Sequence, residues 1–289
     1  MNWESGVSAL RERIGSALFE RVAGPQGPEN RARIHDSAGP RWFSPDRPIR
    51  RVHGDAAMFV GGLRALLLQS LHPLAMAGIA EHSDYRGDPW GRLARTSTFL
   101  AVTTYGTADD AQQAVERVRA IHRHVQGVTD AGVAYDATDP HLLKWVHLAE
   151  IDSFLAAHQR YGTQPLDQAG RDAYVADTAT VATALGVRNP PHSERELRTA
   201  LAEYRGELHA TRPALDAAKF LLYRPPLPLV ARAPYALLAA GAVVLLPVHA
   251  RDELRIPRLP VLPAGTDTAI TFACRGLVHG IRWAMQRPG

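Results

Sequence analysis

Between Gln69 and Glu150 four histidines recur inside apolar helical patterns: His72, His82, His122 and His147. A neutral imidazole on the buried face of a helix can ligate iron. Among these histidines stands a cationic run, Arg92-Leu-Ala-Arg95-Thr96. Guanidinium groups bind carboxylates in pairs of hydrogen bonds, and the propionates of haem are carboxylates. Together these residue types point to a haem site in a helical bundle. Each has a plainer reading beside it. A histidine in an apolar stripe is more often a hydrogen-bonded core group than a ligand, and helix-face arginines usually meet solvent.

Three short segments carry a resemblance. Gly91-Arg-Leu-Ala-Arg-Thr96, Ile121-His-Arg-His-Val-Gln-Gly127 and Leu142-Leu-Lys-Trp-Val-His147 resemble the catalytic domain of the rubber oxygenases, or latex-clearing proteins, also called the MpaB-type oxygenase family. The likeness runs from about Asp55 to Gly162, and more weakly into the Pro-rich C-terminal part. It implies haem b in a globin-like helical core and cleavage of isoprenoid double bonds with dioxygen. It also implies that His122 is the axial ligand of the haem iron, with Arg92 and Arg95 against the cofactor. Arg95, Thr96, His72 and His147 are then the candidate catalytic groups, with His82 a further pocket candidate. One departure matters. Characterised relatives carry a lysine where this chain has Arg95, and a guanidinium cannot lose its proton to ligate iron. A lysine-capped resting state is therefore not expected.

The elements that must position these groups follow from periodicity and caps, and they predict an all-α chain built as a single multi-helix domain over 1–289. Asp88-Pro89 opens a helix to about Tyr105, on which Arg92, Arg95, Thr96 and Phe99 share a side. Few carboxylates stand near, so two arginines on one side call for an anion. Thr107 caps a helix predicted to run from Ala108 to Gln126, ended by Gly127. Its stripe of Ala111, Val115, Val118, His122 and Val125 turns His122 inward and His124 outward. Val128 to Thr138 reads as a loop. Asp139-Pro140 then starts a helix to Tyr161, with Leu143, Val146, His147, Glu150, Ile151, Phe154 and His158 inward. His147 and Glu150, three apart, are placed to hydrogen-bond, either as a pair orienting a ligand or as a buried link between helices.

Upstream, Asp55 to Leu71 is an apolar helix broken at His72-Pro73. Its Gly61-Gly62 pair implies close approach, by a haem face or, more commonly, by a crossing helix. Residues 1–54 are read as an N-terminal helix over Ser5–Val22, ended at Gly24-Pro25, and a loop wrapping the body from Asn30 to Pro48. The block Pro45 to Arg51 is read as solvated. Helices follow at Gln168–Leu185, after Ser193 and after Thr211. Residues 226–289 hold an extended proline segment, an apolar run from Tyr235 to Leu246 and an amphipathic helix from Asp267 to Gln286. No repeat and no clear strand stands out.

Composition bounds the rest. With 46% hydrophobic residues in 289, a full core is within reach. A single cysteine, Cys274, excludes an internal disulfide framework and thiolate-clustered metal sites. The net charge is only +4 and no basic run is interleaved with aromatics, so nucleic acid is not an expected partner. Met1-Asn-Trp-Glu4 is not the start of a secretory leader, and a cytoplasmic location is expected. The apolar run over 235–246 is too short to span a bilayer, which leaves core helix, channel wall or peripheral membrane contact. The expected partners are dioxygen and a hydrophobic small molecule, isoprenoid or lipid-like and smaller than rubber. Two other classes remain. A non-haem dimetal oxidase would need repeated Glu-x-x-His motifs, and His147-Leu-Ala-Glu150 is reversed and occurs once. A non-catalytic helical protein holding a hydrophobic ligand would use the same apolar helices.

Overall fold

The computed structural model describes residues 3–257 and 265–285. Fourteen α-helices and one short hairpin make up these residues. Helices α1 (Trp3–Ala23), α2 (Gly27–Asp36) and α3 (Pro48–His53) lead into α4 (Met58–Gln69) and α5 (Pro73–His82). Then come α6 (Pro89–Tyr105), α7 (Ala108–His122) and the antiparallel strands β1 (Gln126–Val128) and β2 (Ala134–Asp136). Helices α8 (Pro140–Tyr161), α9 (Gln168–Leu185) and α10 (Glu194–Glu203) follow, with a 3-10 turn at Tyr204–Gly206. The chain closes with α11 (Arg212–Tyr223), α12 (Leu229–Leu245), α13 (Val248–Glu253) and α14 (Thr266–Met285). The all-α expectation holds. The expected final residue of the last helix, Gln286, lies outside the described residues.

The central contact is α4 crossing α8. Gly61 makes it close: a Cβ there would stand 3.2 Å from the Phe154 Cα and 3.3 Å from the Ala157 Cβ. A crossing helix, not a cofactor face, therefore explains this glycine, while Gly62 faces open space. Around α8 lies the main core, with Trp145, Leu148, Tyr174 and Leu197 fully buried. A second cluster joins Val60, Ala157 and Tyr161 to Leu238, Cys274 and Val278 on α12 and α14. Arg64 ties these layers together. It is 4% exposed, pairs with Asp152 at 2.7 Å, and donates to Ser153 Oγ and to the Leu245 carbonyl.

Caps placed the major helices well. Asp88, Thr107, Asp139, Asp167, Ser193 and Thr211 each accept a backbone N–H in the first turn of their helix. Gly186 closes α9 with φ 105°, a left-handed conformation that glycine adopts without strain. Four expectations need correction. Residues from 27 to 36 form α2 where a loop was expected, because Pro28 sits in the first turn, where proline opens a helix instead of ending one. The Pro45–Arg51 block is not merely solvated: α3 begins inside it, and Arg47 pairs with the buried Asp177 carboxylate of α9. Helix α7 stops at His122, and Gln126–Val128 pairs with Ala134–Asp136 instead of extending the helix. Helix α12 starts at Leu229 with Pro234 inside it. The carbonyl that Pro234 cannot bond belongs to Val230, on an end turn open to water.

Among the described residues no single helix is long and apolar enough to cross a membrane. The pair α4 and α5 reaches that length only together, and it bends by 109° at His72-Pro73.

Candidate functional site

Helices α6 and α7 pack on each other, and α7 packs on α9, while α8 packs on α4, α5 and α9. Ile79 of α5, Leu100 of α6, Val146 of α8 and Val181 of α9 are half-buried apolar side chains packed against the main core. Beside Val146 on α8 stand His147 and Glu150, also half-buried. Loss of bulk solvent alone moves their protons strongly: the His147 imidazole falls to about 3 and the Glu150 carboxyl rises to about 7.

His147 Nε2 is buried and has no hydrogen-bond partner. The His147–Glu150 hydrogen bond that the spacing allowed is not formed; nothing but burial acts on either group. Sequence reasoning missed His53 of α3. Its Nδ1 meets Thr104 Oγ1 at 2.8 Å, its Nε2 meets the Tyr174 hydroxyl at 3.4 Å, and burial lowers it to about 3. No helical stripe pointed to His53, because α3 is only six residues long.

His122 is the last residue of α7 and is half-buried, with burial holding its pKa below the ordinary value. Its carbonyl accepts from the Val125 N–H at 3.0 Å, and His124 is exposed, as expected. The chain then crosses to α5, where Val125 lies beside Gly78. Arg92 reaches the same end of α5 and donates to Ser83 Oγ. His122 thus lies three residues before a contact with the middle of α5, and Arg92 meets that helix at its C-terminal cap. Arg95 and Thr96 are exposed on α6. The expectation that both arginines lack a carboxylate fails for Arg95, whose Nη1 stands 3.2 Å from Asp88 Oδ2, the cap of its own helix. His82 is engaged elsewhere: its Nε2 meets the Tyr135 hydroxyl at 3.1 Å, and Tyr135 donates to Glu81.

His72 does not join this group. It caps the opposite end of α5, ten residues from His82, or about 15 Å along the helix. There it meets His141 and Glu207. That trio, and not His147 with Glu150, is the group among the described residues whose ligand atoms converge. The dimetal reading of the His147-Leu-Ala-Glu150 segment gains nothing from this arrangement.

The helical body thus holds neutral, buried imidazoles close in sequence to half-buried apolar side chains. Residues 50–283 match the family described as ER-bound oxygenase mpaB/B'/rubber oxygenase, catalytic domain, and the chain belongs to that family. It is similar to two uncharacterised mycobacterial proteins, one from Mycobacterium tuberculosis and one from Mycobacterium bovis. Each is 36% identical over 100 residues, covering 34% of this chain and 38% of the relative. The match thus spans well under half of either relative. No solved structure matches. The family is one of oxygenases, and an oxygenase domain is what this chain carries.

Proposed function

We propose that this oxygenase depends on haem b and oxidises a hydrophobic small molecule, isoprenoid or lipid-like, with dioxygen. The observation that carries the reading is a pair of imidazoles kept neutral by burial, His122 and His147, the second with its Nε2 unpartnered. A neutral imidazole presents a lone pair, which an axial ligand needs. The donor set therefore fits a haem. His122 would hold the iron, and Arg92 and Arg95 would meet the propionates, Arg95 by exchanging Asp88 for a propionate carboxylate. Bound there, haem would supply dioxygen binding and electron transfer.

The protein's own groups have separate tasks. Ile79, Leu100, Val146 and Val181 exclude water and give an apolar chain its contact surface. Glu150, titrating near neutrality, can hold or release a proton under working conditions. His147 stays neutral, and its Nε2 is unpartnered and open to a hydrogen bond from a bound molecule. Thr96 places a hydroxyl on the open face of α6, one residue from Arg95. A globin-like arrangement of the core belongs to the same proposal. The test is an anaerobic absorption spectrum of the purified protein with and without dithionite, repeated after hemin titration. A Soret band that saturates at one equivalent supports the reading. Its absence after hemin addition overturns it.

A further inference from the structure

At the other end of α5 three side chains from distant parts of the chain converge. His72 comes from the bend after α4, His141 from the first turn of α8, and Glu207 from the residue after the 3-10 turn. Glu207 Oε2 stands 2.8 Å from His141 Nε2 and 3.3 Å from His72 Nε2. The three ligand atoms lie within 4.8 Å of one another. We propose that His72, His141 and Glu207 form a binding site for one divalent cation of the zinc class.

Two imidazoles and a carboxylate are a donor set suited to such an ion, which would draw the three atoms in to bonds of about 2.0–2.2 Å. Two features of the site call for a cation. His72 is only 3% exposed, and neither of its ring nitrogens has a hydrogen-bond partner, its 3.3 Å approach to Glu207 included. A buried polar nitrogen left unpaired is destabilising, and an ion would satisfy Nε2. The second feature is the orientation of His141. The Tyr204 hydroxyl donates to the His141 carbonyl at 2.9 Å, so its oxygen is free to accept from Nδ1, 3.2 Å away. With the proton on Nδ1, Nε2 turns a lone pair toward the Glu207 carboxylate. Lone pair against carboxylate at 2.8 Å is repulsive unless a cation or a proton sits between. Tyr204 also stacks on the His141 ring, with centroids 4.5 Å apart, and so fixes its orientation as outer-shell partners of metal ligands do. The side chains of His141 and Glu207 are 50% and 45% exposed, so an ion can enter and water can complete its coordination.

The experiment uses the full chain stripped of divalent ions by a chelator and titrated with Zn2+ in a calorimeter. Wild type should bind one equivalent saturably. His141→Ala and Glu207→Gln, both at open positions, should each weaken binding by more than the roughly 10–100-fold that loss of an outer-shell partner produces. Their Soret spectra after hemin addition should match wild type, which separates this site from the haem reading. Absence of a saturable single equivalent in wild type would mean that a proton, not a metal, bridges the trio. Equal affinity in all three proteins would place the ion elsewhere. Either result overturns the proposal.

Discussion

A carboxyl that titrates near neutrality makes a fold sensitive to pH from one side. Glu150 is raised from 4.5 to about 7 by burial, so the folded chain keeps a proton that the unfolded chain has already lost. Stability from this group is full below pH 4.5 and is lost as pH rises through about 7. Glu150→Gln should therefore match the wild type at low pH and exceed it above neutrality, by about 1–3 kcal/mol in cofactor-free protein. Urea midpoints at pH 5 and pH 8 check this, and a gap that ignores pH would mean the carboxyl does not titrate at its buried position. His147 acts in the opposite sense: lowered from 6.5 to about 3, it supports the fold above 6.5 and withdraws that support as pH falls toward 3. Haem retention should fail in His122→Ala and persist in His124→Ala when both are titrated with hemin, because only His122 turns inward. Arg95→Lys tests whether this side chain stands over the iron. An amine that deprotonates at raised pH should then give a six-coordinate low-spin spectrum and weaken binding of added imidazole. Unchanged spectra into the alkaline range would make Arg95 a propionate or surface arginine. At this scale the inward turn of His122 was legible, because it follows from one helix's own period. His53, Asp177 and Glu207 were not, since their partners lie 51, 130 and 66 residues away.

Helices were legible where the chain announces them locally. A side-chain cap followed by an apolar period fixed α6, α8 and α9 to within a residue or so, and the start of α11. Helix α7 was read four residues too long because Val125 continues its stripe. The strand pairing that wins there needs Ala134–Asp136, and no local pattern marks a three-residue strand. The burial of α8 was legible only in part: Leu142, Trp145 and Leu148 are buried outside the expected stripe, of which Leu143, Val146, His147 and Glu150 are only half-buried. The glycine in α4 gives a prediction at this scale. Gly61→Ala gains up to about 1 kcal/mol of helix propensity but pushes a methyl against the backbone of Phe154. A net loss of roughly 1–2 kcal/mol is expected by denaturant titration. A gain in stability would show that α4 and α8 can separate without penalty. Gly62→Ala, facing open space, is the matched control and should be neutral or stabilising.

Across the whole molecule, Arg64 is the charge on which three helices agree. Its partners sit on α8 and at the last residue of α12, and none could be named from an arginine inside Gly-Gly-Leu-Arg-Ala-Leu-Leu-Leu. Arg64→Ala should destabilise by about 3–5 kcal/mol, because it removes one partner of a buried pair. Arg64→Met, which keeps the volume, should recover part of that loss if packing contributes, and thermal unfolding of the two variants separates the contributions. The second core cluster has a consequence for how the chain is made. Val60 is covered by residues as late as Val278 and Ile281, roughly 220 positions downstream. At about 5–20 residues per second a ribosome needs some 10–45 s to supply them. For that interval the nascent chain carries an uncovered apolar seam along α4 and α8, and its final helix closes it. Ribosome-stalled chains ending before α14 should therefore be cut by protease within that seam and bind a hydrophobic dye, whereas chains that have released α14 from the exit tunnel should resist both.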